Sequence, residues 1–135
     1  MMIRIGKENL QSEFVKLVER ISGEKLANCY QCGNCTGGCP VSYAMDYGPQ
    51  EIIRLLQLGQ EETVKNANSM WICVGCLQCY QRCPKSVSAA NILEALRLLT
   101  LRKGEDHDNI KDLPFQFLKE APQQAIICGF RKLVA

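Results

Sequence analysis

Leu10, Phe14, Leu17, Val18 and Ile21 are spaced by four, three, one and three residues, which places them on one face of a helix predicted over 7–22. Gly23 follows as the residue able to leave that helix through a left-handed turn. Gly48-Pro49 opens a second helix, EIIRLLQLG, with proline suited to its first turn and Gly59 at its end. Ile52, Ile53, Leu55, Leu56 and Leu58 leave it little polar face, so burial on several sides is expected. Residues 60–67 are polar and predict a short solvated helix. A third strong helix is predicted over roughly 86–103. Ser86 or Ser88 can cap it, Ile92, Leu96 and Leu99 line one face, and Arg102-Lys103-Gly104 close it. The tail has an apolar cluster (Leu113, Phe115, Phe117, Leu118), then Ala125-Ile126-Ile127-Cys128, and reads as helix followed by irregular structure. Residues 1–6 alternate weakly and predict a short extended arm. Strand signals are nearly absent. The expected fold is mainly α, in one domain of 135 residues.

Two segments break the helical pattern. NCYQCGNCTGGCP at 28–40 packs four cysteines and three glycines into thirteen residues, a loop wrapped around something rather than a packing surface. CVGCLQCYQRCP at 73–84 repeats it. Cys29, Cys32, Cys35 and Cys39 precede Pro40; Cys73, Cys76, Cys79 and Cys83 precede Pro84, each displaced by 44 residues. This spacing, C-x2-C-x2-C-x3-C-P, suits an iron–sulfur cube. Three cysteines two residues apart curl round one cube, while the fourth, past the turn, points away. In two-cluster ferredoxins it ligates the other cluster. The expected sets are Cys29, Cys32, Cys35 and Cys83 for cluster I, and Cys73, Cys76, Cys79 and Cys39 for cluster II, both [4Fe–4S]. Gly33, Gly37, Gly38 and Gly75 are expected to allow close backbone approach to the clusters.

Composition narrows the alternatives. Hydrophobic residues make up 47% and charged residues 22%, a globular balance. Net charge is +2 without a basic block, so neither nucleic acid nor an anionic membrane is an expected partner. No run approaches the ~18 apolar residues of a membrane span, and MMIRIGKENLQSEFVK lacks the core of a secretion signal. A cytoplasmic, reducing setting is therefore expected. There disulfides are disfavoured, and nine cysteines cannot all pair. Zinc sites use pairs of C-x2-C rather than a third cysteine at the same interval and a fourth before proline. Eight thiolates bring about −8 and two oxidised cores about +4, so a loaded chain would carry about −2.

Other residues have plainer readings. Cys128 reads as a small buried residue, with a redox thiol or contact to a partner's cluster as the alternative. His107 reads as an exposed loop histidine. Trp71, Tyr30 and Tyr80 can shield clusters from water or simply pack. With one histidine and no G-x-G-x-x-G, no catalytic constellation is present and electron transfer is the available chemistry.

NCYQCGNCTGGCPVSYAMDYGPQEIIRLLQLG followed by MWICVGCLQCYQRCPKSV resembles the C subunit of heterodisulfide reductase, across about residues 8–103. The resemblance implies the α-helical ferredoxin fold, the eight ladder cysteines as ligands, and a relay role. Electrons would pass from a flavin-containing A-like protein to a cysteine-rich B-like protein that handles a disulfide or related sulfur compound. In methanogens that compound is the coenzyme M–coenzyme B heterodisulfide. Two alternatives stand beside it: a free two-cluster ferredoxin, and an iron–sulfur subunit of a succinate or glycerol-3-phosphate dehydrogenase type.

Overall fold

Ser12 opens helix α1 (Glu13–Ser22) by accepting a hydrogen bond from the Val15 N–H at 3.3 Å, satisfying a donor the helix cannot use itself. Gly23 closes it at φ 72°, its N–H donating to the Glu19 carbonyl. The computed structural model describes residues 12–101 and 110–133. The extended arm expected at 1–6, Leu10, the helix-closing residues 102–104 and His107 lie outside them. Val15 and Val18 are the buried residues of α1, whereas Ile21 is 39% exposed. The inward stripe is therefore set one residue round from the predicted one.

Elements follow in order: α2 (Asn34–Gly37), α3 (Pro49–Gln57), α4 (Glu61–Asn66), α5 (Ser69–Ile72), α6 (Gln78–Gln81), α7 (Ala89–Leu101), α8 (Phe115–Glu120) and α9 (Gln123–Leu133), with 3-10 turns at Leu26–Asn28, Ser42–Ala44 and Ile110–Asp112. No strand occurs among the described residues. The tail is two helices, not helix followed by irregular structure. Pro122 separates them, where it cannot continue α8 but can precede α9.

Two compact units divide between Leu96 and Arg97. In the first, α3 starts as expected: Pro49 occupies the first turn and the Glu51 carboxylate accepts the Gly48 N–H at 2.6 Å. Ile52, Ile53 and Leu56 are buried, while Leu55 and Leu58 are half-buried. With Val18, Leu26, Val64, Met70, Ile92, Leu93 and Leu96 they make up the apolar interior. Ser88 caps α7 by accepting the Asn91 N–H; Ser86 instead takes a left-handed φ of 52°. A polar clasp fixes the approach to α3. Asp46 and Asn68 exchange backbone-to-side-chain hydrogen bonds of 2.8 and 3.0 Å, and buried Ser69 donates to the Tyr47 carbonyl. In the second unit, Phe115, Phe117 and Ile127 are exposed.

Candidate metal centre

The two cysteine loops have nearly the same backbone. Each enters a left-handed residue two and four positions after its first cysteine: Gln31 (φ 66°) and Gly33 (81°) in the first, Gly75 (67°) and Leu77 (60°) in the second. Each then makes one short helix, α2 or α6, carrying the third cysteine. The glycine of each pair sits at a different position, so the shared geometry is invisible when only glycines are aligned. Gly33 and Gly75 thus supply a backbone conformation. Gly37 has open space around it, and Gly38 has another function: a side chain there would strike Arg82, its counterpart 44 residues on. The two loops touch where the residues preceding their fourth cysteines cross, and α2 packs on α6.

This crossing distributes the thiols. Cys39, from the first loop, lines a recess together with Cys73, Cys76 and Cys79. Val41, Met45, Pro49, Val74, Leu77, Ala89, Ala90 and Leu93 complete its wall, so apart from sulfur the surroundings are apolar. Trp71 does not line this recess; it is 39% exposed, and Met70 beside it is the buried residue. Conversely, Cys83 approaches the first loop. The neighbouring Cys32, then desolvation, and then the charges of Cys32, Cys83 and Cys29 hold the Tyr30 phenol above its ordinary value. Cys73 and Cys79 are buried; Cys32 and Cys76 are exposed at the rims. Cys128 lies on α9 and is exposed rather than buried. Among the described residues no three Cys, His, Asp or Glu side chains close on a single-ion-sized point.

N–H groups are aimed at the sulfurs. Val87 N–H donates to Cys83 Sγ at 3.2 Å. Burial pushes the Cys79 thiol up, opposed by hydrogen bonds from the backbone of Ala90 and Tyr80. Its counterpart Cys35 is likewise pushed up by burial, opposed by the backbone of Thr36 and reinforced by the charges of Cys29 and Cys79. Ala90 lies in the first turn of α7, so that helix's positive end faces the second loop. Soft sulfur donors in two groups, with N–H groups pointing at them, fit the iron–sulfur cubes expected of the ladder.

Side chains behind the first loop were not singled out by the cysteine spacing. Gln57 donates to the carbonyls of Leu26 and Cys29 at 2.8 and 2.9 Å. Its own oxygen accepts from Gln31 and Arg54. Gln50 donates to Gln31 at 3.0 Å, and Gln31 donates to Cys29 Sγ at 3.4 Å. Thr36 accepts the Gln50 N–H. The glutamines thereby tie α3 to the first loop. Gln31 and Gln57 stand inside the stretches that carry the family resemblance, which was the available signal.

Residues 25–87 match the 4Fe-4S dicluster domain family. The chain is 37% identical to the iron-sulfur C subunit of the CoB–CoM heterodisulfide reductase of Methanopyrus kandleri, over 74% of this chain and 56% of that protein. It is 32% identical to the C subunit of the H(2):CoB-CoM heterodisulfide,ferredoxin reductase of Methanothermobacter thermautotrophicus, covering 74% and 54%. It is 31% identical to the C subunit of the Ferredoxin:CoB-CoM heterodisulfide reductase of Methanosarcina mazei, covering 76% and 65%. The chain spans between half and two thirds of the length of these relatives. It carries two [4Fe–4S] clusters and is an iron–sulfur electron-transfer protein.

Proposed function

We propose, since this chain belongs to the family of heterodisulfide reductase C subunits, that it is the non-catalytic relay between a flavin-containing A-like partner and a cysteine-rich B-like partner. Cluster I takes Cys29, Cys32, Cys35 and Cys83; cluster II takes Cys73, Cys76, Cys79 and Cys39. The observation that carries the reading is Cys39 lining the recess of Cys73, Cys76 and Cys79. A loop that lends its fourth thiol across the repeat brings the two groups of ligands side by side. Bound there, each cluster supplies one-electron chemistry at nearly fixed geometry.

The chain's own residues then have three tasks. The thiols hold the iron, the N–H groups of Val87 and Ala90 temper the charge on sulfur, and the apolar wall keeps water from the second group. Exposed Cys32 and Cys76 mark where an electron has least protein to cross on its way in or out. Disulfide chemistry belongs to the B-like partner, and the complex works in the cytoplasm; no helix among the described residues is long and apolar enough to cross a membrane.

Anaerobic affinity purification of the tagged chain from its native cells tests this. The expected result is recovery of stoichiometric flavin-containing and cysteine-rich subunits. A cluster-loaded monomer that exchanges electrons with several unrelated enzymes would instead identify a free carrier.

A further inference from the structure

The repeat makes the two loops comparable residue by residue, and they differ where it affects a cluster's charge. Tyr30 corresponds to Val74 and Gln31 to Gly75. In the first loop the second of these positions carries an N–H aimed at sulfur: Gln31 donates to Cys29 Sγ at 3.4 Å. Glycine has no such group. The second loop instead contributes Val74 and Leu77 to an apolar wall over Cys39, Cys73, Cys76 and Cys79.

The orientation of the Gln31 amide is fixed by its neighbours. Backbone carbonyls only accept, so Gln57 must turn its NH2 toward Leu26 and Cys29. That leaves the Gln57 oxygen facing Gln31, which must present its own NH2 there and to Cys29 Sγ. Gln50 satisfies the remaining Gln31 oxygen. The residue so held is a non-glycine at φ 66°, where its counterpart is glycine. The chain tolerates backbone strain of a kind that glycine would remove, and the side chain gained is a sulfur-directed donor.

We propose that Gln31 makes cluster I the higher-potential member of the pair, so that an electron shared between the two rests on the Cys29 side. The physical basis is differential. Adding an electron makes the cluster more negative. Donors to its sulfurs stabilise the reduced form more than the oxidised form, whereas an apolar enclosure penalises it. Both effects act in the same direction here and outweigh the N-terminus of α7, which acts the other way at Cys79. Gln31 is a positioning residue acting through Cys29, not a catalytic one.

The inference rests on the ligand sets proposed above. Its test is an anaerobic potentiometric titration of the cluster-loaded full chain, followed by EPR and visible absorbance, with iron measured on every variant. Wild type is expected to show two one-electron waves. Gln31→Leu should lower only the upper wave, by about a tenfold change in its reduction equilibrium, equivalent to about 59 mV for one electron. Gly75→Gln should raise only the lower wave. If the first variant loses iron, the second carries the test. Cys32→Ala and Cys83→Ala should abolish one and the same wave; if they abolish different waves, the ligand sets are wrong. If they abolish the same wave, and variants with full iron leave both waves unmoved or move the other wave, the ligand sets stand and the proposal is overturned.

Discussion

Cys35 and Cys79 occupy matching positions in the repeat, and burial raises both thiols above their ordinary value of 9.0. The consequence is that rising pH acts in opposite directions on the stability of the metal-free chain and on its loading. A thiol whose folded value is raised stabilises the metal-free fold below its ordinary value, and that contribution disappears as pH rises through the raised one. Metal-free chain is therefore expected to lose stability above pH 9.0, as followed by circular dichroism during denaturant titration at several pH values. Loading with iron and sulfide requires thiolate and should instead quicken with rising pH. A metal-free chain that gains stability on going alkaline would contradict the buried, protonated state of these thiols. Residue by residue, the eight ladder cysteines were legible because their spacing repeats. The left-handed backbone at Gln31 and Leu77 was not, since neither is glycine. Glycine signals a positive φ only where the chain avoids strain, and these loops accept strain at one position each.

The contact between α3 and the first loop depends on the absence of a side chain at Gly48. Its φ of −63° suits any residue, but a Cβ there would lie 2.6 Å from Thr36 Cγ2 and 3.0 Å from Thr36 Oγ1, the group that accepts the Gln50 N–H. Gly23 is the opposite case: φ is 72° with open space around it. Gly23→Ala should cost about 1 kcal/mol of backbone strain alone. Gly48→Ala should cost about 1–3 kcal/mol through overpacking and perturb the cluster spectrum as well. Anaerobic thermal unfolding of loaded protein, with the cluster absorbance recorded, separates them; a larger or spectrally visible loss at Gly23 would overturn this seating of α3. Helix existence was readable, from periodicity for α1 and α7, from the Gly48-Pro49 start and apolar run for α3 and from a polar stretch for α4. The inward stripe of α1 was not, because Val15 and Ile21 are equally apolar and only packing decides between them. The α9 helix was missed because a short apolar run after proline serves a helix or a loop equally well.

At the scale of the molecule, the repeat joins two halves of the chain that are distant in sequence. Cys39 goes to the second loop's thiols, Cys83 approaches the first, and Gly38 and Arg82 mark the crossing. On the proposed ligand sets each cluster draws its fourth thiol from the other loop, so cluster binding and folding of the centre are expected to be coupled. The surface presented to partners also changes on loading, from a net charge of +2 to about −2. The most direct test is the iron and acid-labile sulfide content of anaerobically purified chain. Two four-iron cubes predict about eight irons and eight sulfides per chain with a reducible EPR signal. About four irons, or zinc at stoichiometric level, would contradict the account.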